Sequence, residues 1–197
     1  MRRILTTAAL SLAITAPLGA QARSGAPQAA QTAQPAFKLT SKEVAANATI
    51  GAPQVFNGMG CTGQNTSPGL SWTGVPTGTK SFALTVYDPD APTGSGWWHW
   101  VVYNIPATAK SLAAGAGDPK KNLLPAGAVQ GNTDFGAPGY GGPCPPAGDK
   151  PHHYIFTLYA LKVDKMDIPA SATAAYVGFN IHGNMLAKAT FTATYGR

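Results

Sequence analysis

The stretch Ser81-Phe82-Ala83-Leu84-Thr85-Val86-Tyr87-Asp88 decides the fold class. Phe82, Leu84 and Val86 share one side of an extended chain, and Asp88 ends the same series. That period of two predicts a strand with its bulky aliphatics turned inward. Pro89-Asp90-Ala91-Pro92 follows at once. Each proline fixes its own φ and pushes the residue before it toward extended geometry. A strand therefore runs out of a core and ends in a stiff turn that carries two carboxylates.

Working outward, residues 98–105 (WHWVVYNI) form a second strand, stopped by Pro106. Residues 153–163 (HYIFTLYALKV) form the longest, and residues 186–195 (LAKATFTATY) a fourth. Shorter strands are expected at residues 37–40 and 54–56, with turns between. One helix is expected before the last strand, opened by Pro169 and Ser171 and carried by residues 172–179. Gly178, Thr173 and Val177 make it a weak helix former. A single helical turn is expected near residues 111–114. The pattern predicts an all-β dominated domain, an antiparallel β-sandwich with one or two short peripheral helices.

Composition agrees. Gly (23) and Pro (17) are abundant in the 197 residues, as turn-rich β-proteins require. Charged residues are 11%, against roughly 25% in ordinary soluble proteins. This excludes a coiled coil, charge-driven disorder and a polybasic nucleic-acid binder. The formal charge of +6 includes Arg2 and Arg3, the lysines are scattered rather than clustered, and no nucleic-acid partner is expected.

Residues 1–22 read as a Sec-type signal peptide: Arg2-Arg3, an apolar stretch to Ala20, and small residues before a cleavage after Ala22. The alternative is a membrane anchor, which the polar Thr6, Thr7, Ser11, Thr15 and Pro17 disfavour. Residues 23–36 (RSGAPQAAQTAQPA) read as a disordered linker, because they hold nothing large and apolar to bury. The domain is expected to span residues 37–197, in the periplasm or secreted, with no transmembrane segment in the mature chain. Cys61 and Cys144 form one bridge or remain two buried thiols, and an oxidising compartment favours the bridge.

Four clusters carry possible chemistry. Asp88 and Asp90 sit in the first. In Trp97-Trp98-His99-Trp100, strict alternation puts His99 on a face with Val101 and Tyr103, opposite Trp98 and Trp100. In Gly141-Gly142-Pro143-Cys144-Pro145-Pro146, the N–H groups of Gly142 and Cys144 are candidate anion donors. In His152-His153-Tyr154, His152 and Tyr154 share a face with Phe156 and Leu158, and His153 faces the surface.

Together with Ser67-Pro68-Gly69-Leu70-Ser71-Trp72 and the closing Thr194-Tyr195-Gly196-Arg197, these motifs resemble the phosphatidylethanolamine-binding proteins, in their bacterial Raf-kinase-inhibitor-like branch. The resemblance covers roughly residues 37–197. The family's His-Arg-Tyr triplet stands here as His152-His153-Tyr154, with His153 in place of the arginine. The resemblance implies a small anion-accepting pocket lined by Asp88, Asp90, His99, Gly142, His152 and Tyr154. It implies binding of phosphate-like or carboxylate-like anions or phospholipid headgroups. A protease or kinase is the implied class of protein target, and a protease is easier to reach from outside the cytoplasm.

The electrostatic expectation is that carboxylates raise the pKa of His99 and His152, so that both present N–H donors to an anion. One of Asp88 and Asp90 would orient a histidine, and the other would meet a cationic group. No cofactor is implied. The alternatives are an Asp/His hydrolase, with or without a metal, and an interaction module with an incidental pocket. The chain has no HExxH or GxSxG motif and no marked nucleophile, so an enzyme is not expected.

Overall fold

The computed structural model describes residues 35–197. The expected signal peptide and most of the expected linker lie outside the described residues.

Ten strands and one α-helix follow in the order β1 (Lys38–Thr40), β2 (Asn57–Gly58), β3 (Cys61–Thr62), β4 (Leu70–Thr73), β5 (Ser81–Asp88), β6 (Trp97–Pro106), β7 (Ser111–Leu112), β8 (Val129–Gln130), β9 (His152–Leu161), α1 (Ala174–Asn184) and β10 (Met185–Tyr195). The main sheet has the order β10-β9-β5-β6-β8, and a smaller sheet has β1-β4-β7. Every pairing in both is antiparallel. The sandwich forms because inward residues of the two sheets meet: Leu39, Leu70, Trp72 and Leu112 from the small one, Phe82, Leu84, Val86, Trp100, Phe156 and Leu158 from the large one.

The back of the main sheet is covered too. Ala83, Val101, Tyr103 and Tyr159 pack with Ala174, Val177 and Ile181 of α1. This explains why β5 is buried along nearly its whole length. The helix is capped by Thr173, whose hydroxyl accepts from Tyr176 N–H at 3.2 Å. It runs on to Asn184 past the expected end at residue 179. Its buried residues 174, 177 and 181 recur at helical spacing, so packing outweighs the cost of Gly178 and Gly183.

Two short expectations are corrected. Residues 111–112 form β7 against β4, not a helical turn, because an unpaired edge of the small sheet is available there. Residues 54–56 are turn, and the extended pair is Asn57–Gly58, hairpinned onto Cys61–Thr62. Met59 and Gly60 make that hairpin with positive φ (52° and 85°). Cys61 and Cys144 are joined by a disulfide, with Cα atoms 6.0 Å apart. Among the described residues, no helix is long and apolar enough to cross a membrane.

Candidate functional site

β5 and β9 lie side by side with Val86 opposite Phe156 and Tyr87 opposite Ile155. Extending that register brings the end of β5 to the head of β9, so Asp88 meets His152 and Tyr154. Asp88 is buried, and both of its oxygens are used. Oδ1 accepts from Asp90 N–H (2.8 Å) and Ala91 N–H (3.1 Å), closing the turn that the prolines stiffen. Oδ2 lies 2.7 Å from His152 Nδ1. The other ring nitrogen of His152 is 3.5 Å from Asp149 Oδ2.

His99 reaches the same place by a device that alternation hides. In the β5–β6 pairing, Val86 faces Trp100 while Tyr87 faces Trp98, so His99 is the extra residue of a β-bulge. The bulge breaks the parity. Trp98 joins Val101 and Tyr103 on the helix side, whereas His99 meets Tyr154, with ring centroids 5.1 Å apart. The expected grouping of His99 with Val101 and Tyr103 is therefore corrected. Bulges re-aim side chains in this way beside functional sites.

The His99 backbone and ring both grip the glycine-rich loop. Gly141 N–H donates to His99 O at 2.9 Å, and His99 Nδ1 lies 2.7 Å from Gly141 O. A carbonyl only accepts, so Nδ1 carries the proton. Burial pushes the His99 pKa down to about 4, against the opposing pull of the Gly141 carbonyl and the Asp88 charge. The expectation of a carboxylate-paired, protonated His99 is thus overturned. Its hydrogen-bond partner is a neutral carbonyl, and desolvation wins.

A cavity of about 260 Å³ opens over these groups. Asp88, His99, His152 and Tyr154 line it, as does Trp97. Met59, Pro92, Phe135, Pro145 and Pro146 supply apolar wall. Two of its lining residues, Trp97 and Tyr154, carry a buried donor without a hydrogen bond of good geometry, and Asp88 is the acceptor beside the Tyr154 hydroxyl. Burial, reinforced by the nearby Asp88 charge, raises the Tyr154 pKa and keeps the phenol protonated. Arg197 stands at the rim, where it donates to the carbonyls of Pro145 (2.7 Å), Gly60 (3.2 Å) and Met59 (3.3 Å).

Asp90 and Gly142 are placed differently from expectation, and neither lines the cavity. Asp90 Oδ2 accepts from His153 N–H and contacts His153 Nδ1, both at 2.7 Å, in a surface pair. Those bonds hold the Asp90 carboxyl below its usual pKa despite the opposing, larger effect of desolvation. Asp90 is therefore not the spare carboxylate of the pocket. The Gly142 N–H donates to Asn65 Oδ1 at 2.7 Å, so it is not a free anion donor. Its glycine is needed for packing: a Cβ there would lie 2.0 Å from Gln54 O.

Trp97, Phe135, Asp149 and Arg197 were not singled out by sequence reasoning. Trp97 and Arg197 stand inside the motifs quoted above. Phe135 is one of two large aromatics, with Tyr140, in a loop of mostly small and polar residues, which is a readable signal.

The phosphatidylethanolamine-binding protein family model matches residues 40–196. UPF0098 protein YbcL of Escherichia coli K12 is 54% identical over 160 residues, which is 81% of this chain and 87% of that one. YbhB of the same organism is 49% identical over 81% of this chain and 99% of its own. The crystal structure of YbcL, described as a member of the mammalian PEBP family, superposes with a TM-score of 0.80 over 82% of this chain and 98% of that one, at 53% identity. With the motifs, the sandwich and these relatives in agreement, the chain belongs to the phosphatidylethanolamine-binding protein family.

Proposed function

We propose that this chain is an exported, non-enzymatic binding protein. Its cavity holds a small phosphate-like or carboxylate-like anion, free or as a phospholipid headgroup. The observation that carries the reading is one cavity lined by Asp88, His99, His152 and Tyr154, with a buried indole N–H of its lining Trp97 left without a protein acceptor. A buried donor left unmade costs about 1–3 kcal/mol, so the indole N–H of Trp97 speaks for an acceptor that comes from outside. The Asp88 charge does not oppose an anion strongly, because two backbone N–H groups and His152 already engage it.

Binding is favoured over hydrolysis by the state of the candidate nucleophiles. Cys144 lines the cavity but is held in the disulfide, and the Thr93 hydroxyl donates to Gly96 O. Export is supported by that same disulfide, which an oxidising compartment preserves, and by the leader-like residues 1–22.

Calorimetric titration with inorganic phosphate and with O-phosphorylethanolamine tests the reading. Saturable binding is expected, weakened about tenfold in Trp97→Phe and in Tyr154→Phe, each of which removes one donor. Failure of both ligands to bind the wild-type protein refutes it.

A further inference from the structure

Arg197 ties two loops together and leaves its charge unused. It is exposed at the cavity mouth, and it is the one lining residue whose side chain is positive at any ordinary pH. A guanidinium has five N–H bonds, and here three go to the Pro145, Gly60 and Met59 carbonyls, at 2.7, 3.2 and 3.3 Å, so two remain. Carbonyls ask for donors, not for charge. None of the four ion pairs among the described residues includes Arg197, so no acidic side chain neutralises it at contact. Nor is the charge needed as a tie, because the Cys61–Cys144 disulfide already joins the two loops. The fork has room made for it: a Cβ at Gly60 would lie 3.2 Å from Nη1.

We infer that Arg197 is the charged anchor of the ligand: its guanidinium, held by three carbonyls, offers its remaining N–H bonds and its positive charge to an oxyanion in the cavity. This rests on the anion-binding reading above and adds the group that balances the anion's charge. Trp97 contributes a neutral donor, which any acceptor can satisfy. Arg197 responds to charge as well. Phosphate monoesters, phosphodiesters and carboxylates all present oxygen pairs that a guanidinium takes in a fork, so each is held. A dianion feels about twice the attraction that a monoanion feels. Monoesters therefore gain more from this residue than diesters do. Three fixed bonds keep the fork pre-organised, so little side-chain freedom is lost when the anion arrives. Exposure keeps the effect moderate, because water and salt screen the charge.

The experiment titrates the folded protein calorimetrically with methyl phosphate and dimethyl phosphate at about pH 7.5, where the first is mainly a dianion because its last proton leaves with a pKa of about 6. The second is a diester, as a phospholipid headgroup is, and carries one charge. Arg197→Gln is expected to weaken methyl phosphate about tenfold and dimethyl phosphate about threefold. Each loss is taken against the wild type with the same ligand, so differences in ligand size cancel. Arg197→Lys keeps the charge and loses the fork, so it binds both ligands more weakly than the wild type and preserves the ratio between them. A residue that only tied the loops would weaken both ligands by the same factor. Equal factors in Arg197→Gln overturn this inference and leave the anion-binding reading standing. Failure of both ligands to bind the wild-type protein overturns both. Should Arg197→Gln fail to fold, NMR of the wild-type protein decides: the Arg197 guanidinium N–H signals shift on saturation with methyl phosphate, and signals that stay in place refute the inference.

Discussion

Two aspartate–histidine pairs stand one layer apart at the end of the main sheet, each with 2.7 Å between carboxylate oxygen and Nδ1. In Asp88–His152 the side chains are 3% and 5% exposed; in Asp90–His153 they are 41% and 56% exposed. The pairing and the distance are the same, and burial is the largest difference between them. The inner pair is desolvated, so each partner depends on the other and the penalty for orphaning one is large. The outer pair has solvent as an alternative partner, and its net worth is small. A short contact therefore says little about stability until its burial is known.

The comparison breaks most visibly at Asp88. Asp88→Asn leaves His152 facing an amide and removes a buried charge, and a loss of about 3–5 kcal/mol is expected in urea unfolding at neutral pH. Phosphate binding should fall with it. A change below about 1 kcal/mol would make the inner pair no different from the outer one.

The acid limb sharpens the role of burial at the same site. Folded His99 stays neutral until its pKa of about 4, whereas the unfolded histidine takes a proton near 6.5. The unfolded state thus binds more protons between those values, and stability falls as pH drops from 6.5 to 4. The loss is on the order of 3 kcal/mol. Urea midpoints measured across that window check it, and His99→Gln should flatten most of the slope.

The smallest effects belong to the surface pair. Asp90→Asn is expected to shift stability by less than about 1 kcal/mol. A double-mutant cycle on Asp90 and His153 should return a coupling that fades in about 1 M salt, while the cycle on Asp88 and His152 persists. Equal salt sensitivity would contradict the difference in burial.

Much of this arrangement is legible in the sequence where alternation is regular. Phe82, Leu84, Val86 and Asp88 keep one face, and so do His152, Tyr154, Phe156 and Leu158, because β5 and β9 pair without interruption from Ser81 to Tyr87. The same parity turns His153 outward. It fails at His99, where one inserted residue exchanges the faces of Trp98 and His99, and no composition rule marks a bulge there. In sequence, Gly142 reads as a donor because glycine permits close approach. The approaching group is this chain's own Gln54 carbonyl, a contact between segments 88 residues apart that no local pattern encodes. Arg197 escaped for the same reason: its three acceptors lie in two distant loops.

Those three bonds have a kinetic consequence. The hairpin carrying Met59 and the loop carrying Pro145 are already laced together twice, once by sulfur and once by a guanidinium. An entrance whose two banks are tied needs no hinge to admit a guest. Capture should proceed at the pace of encounter, and residence time, rather than arrival, should carry the differences among guests.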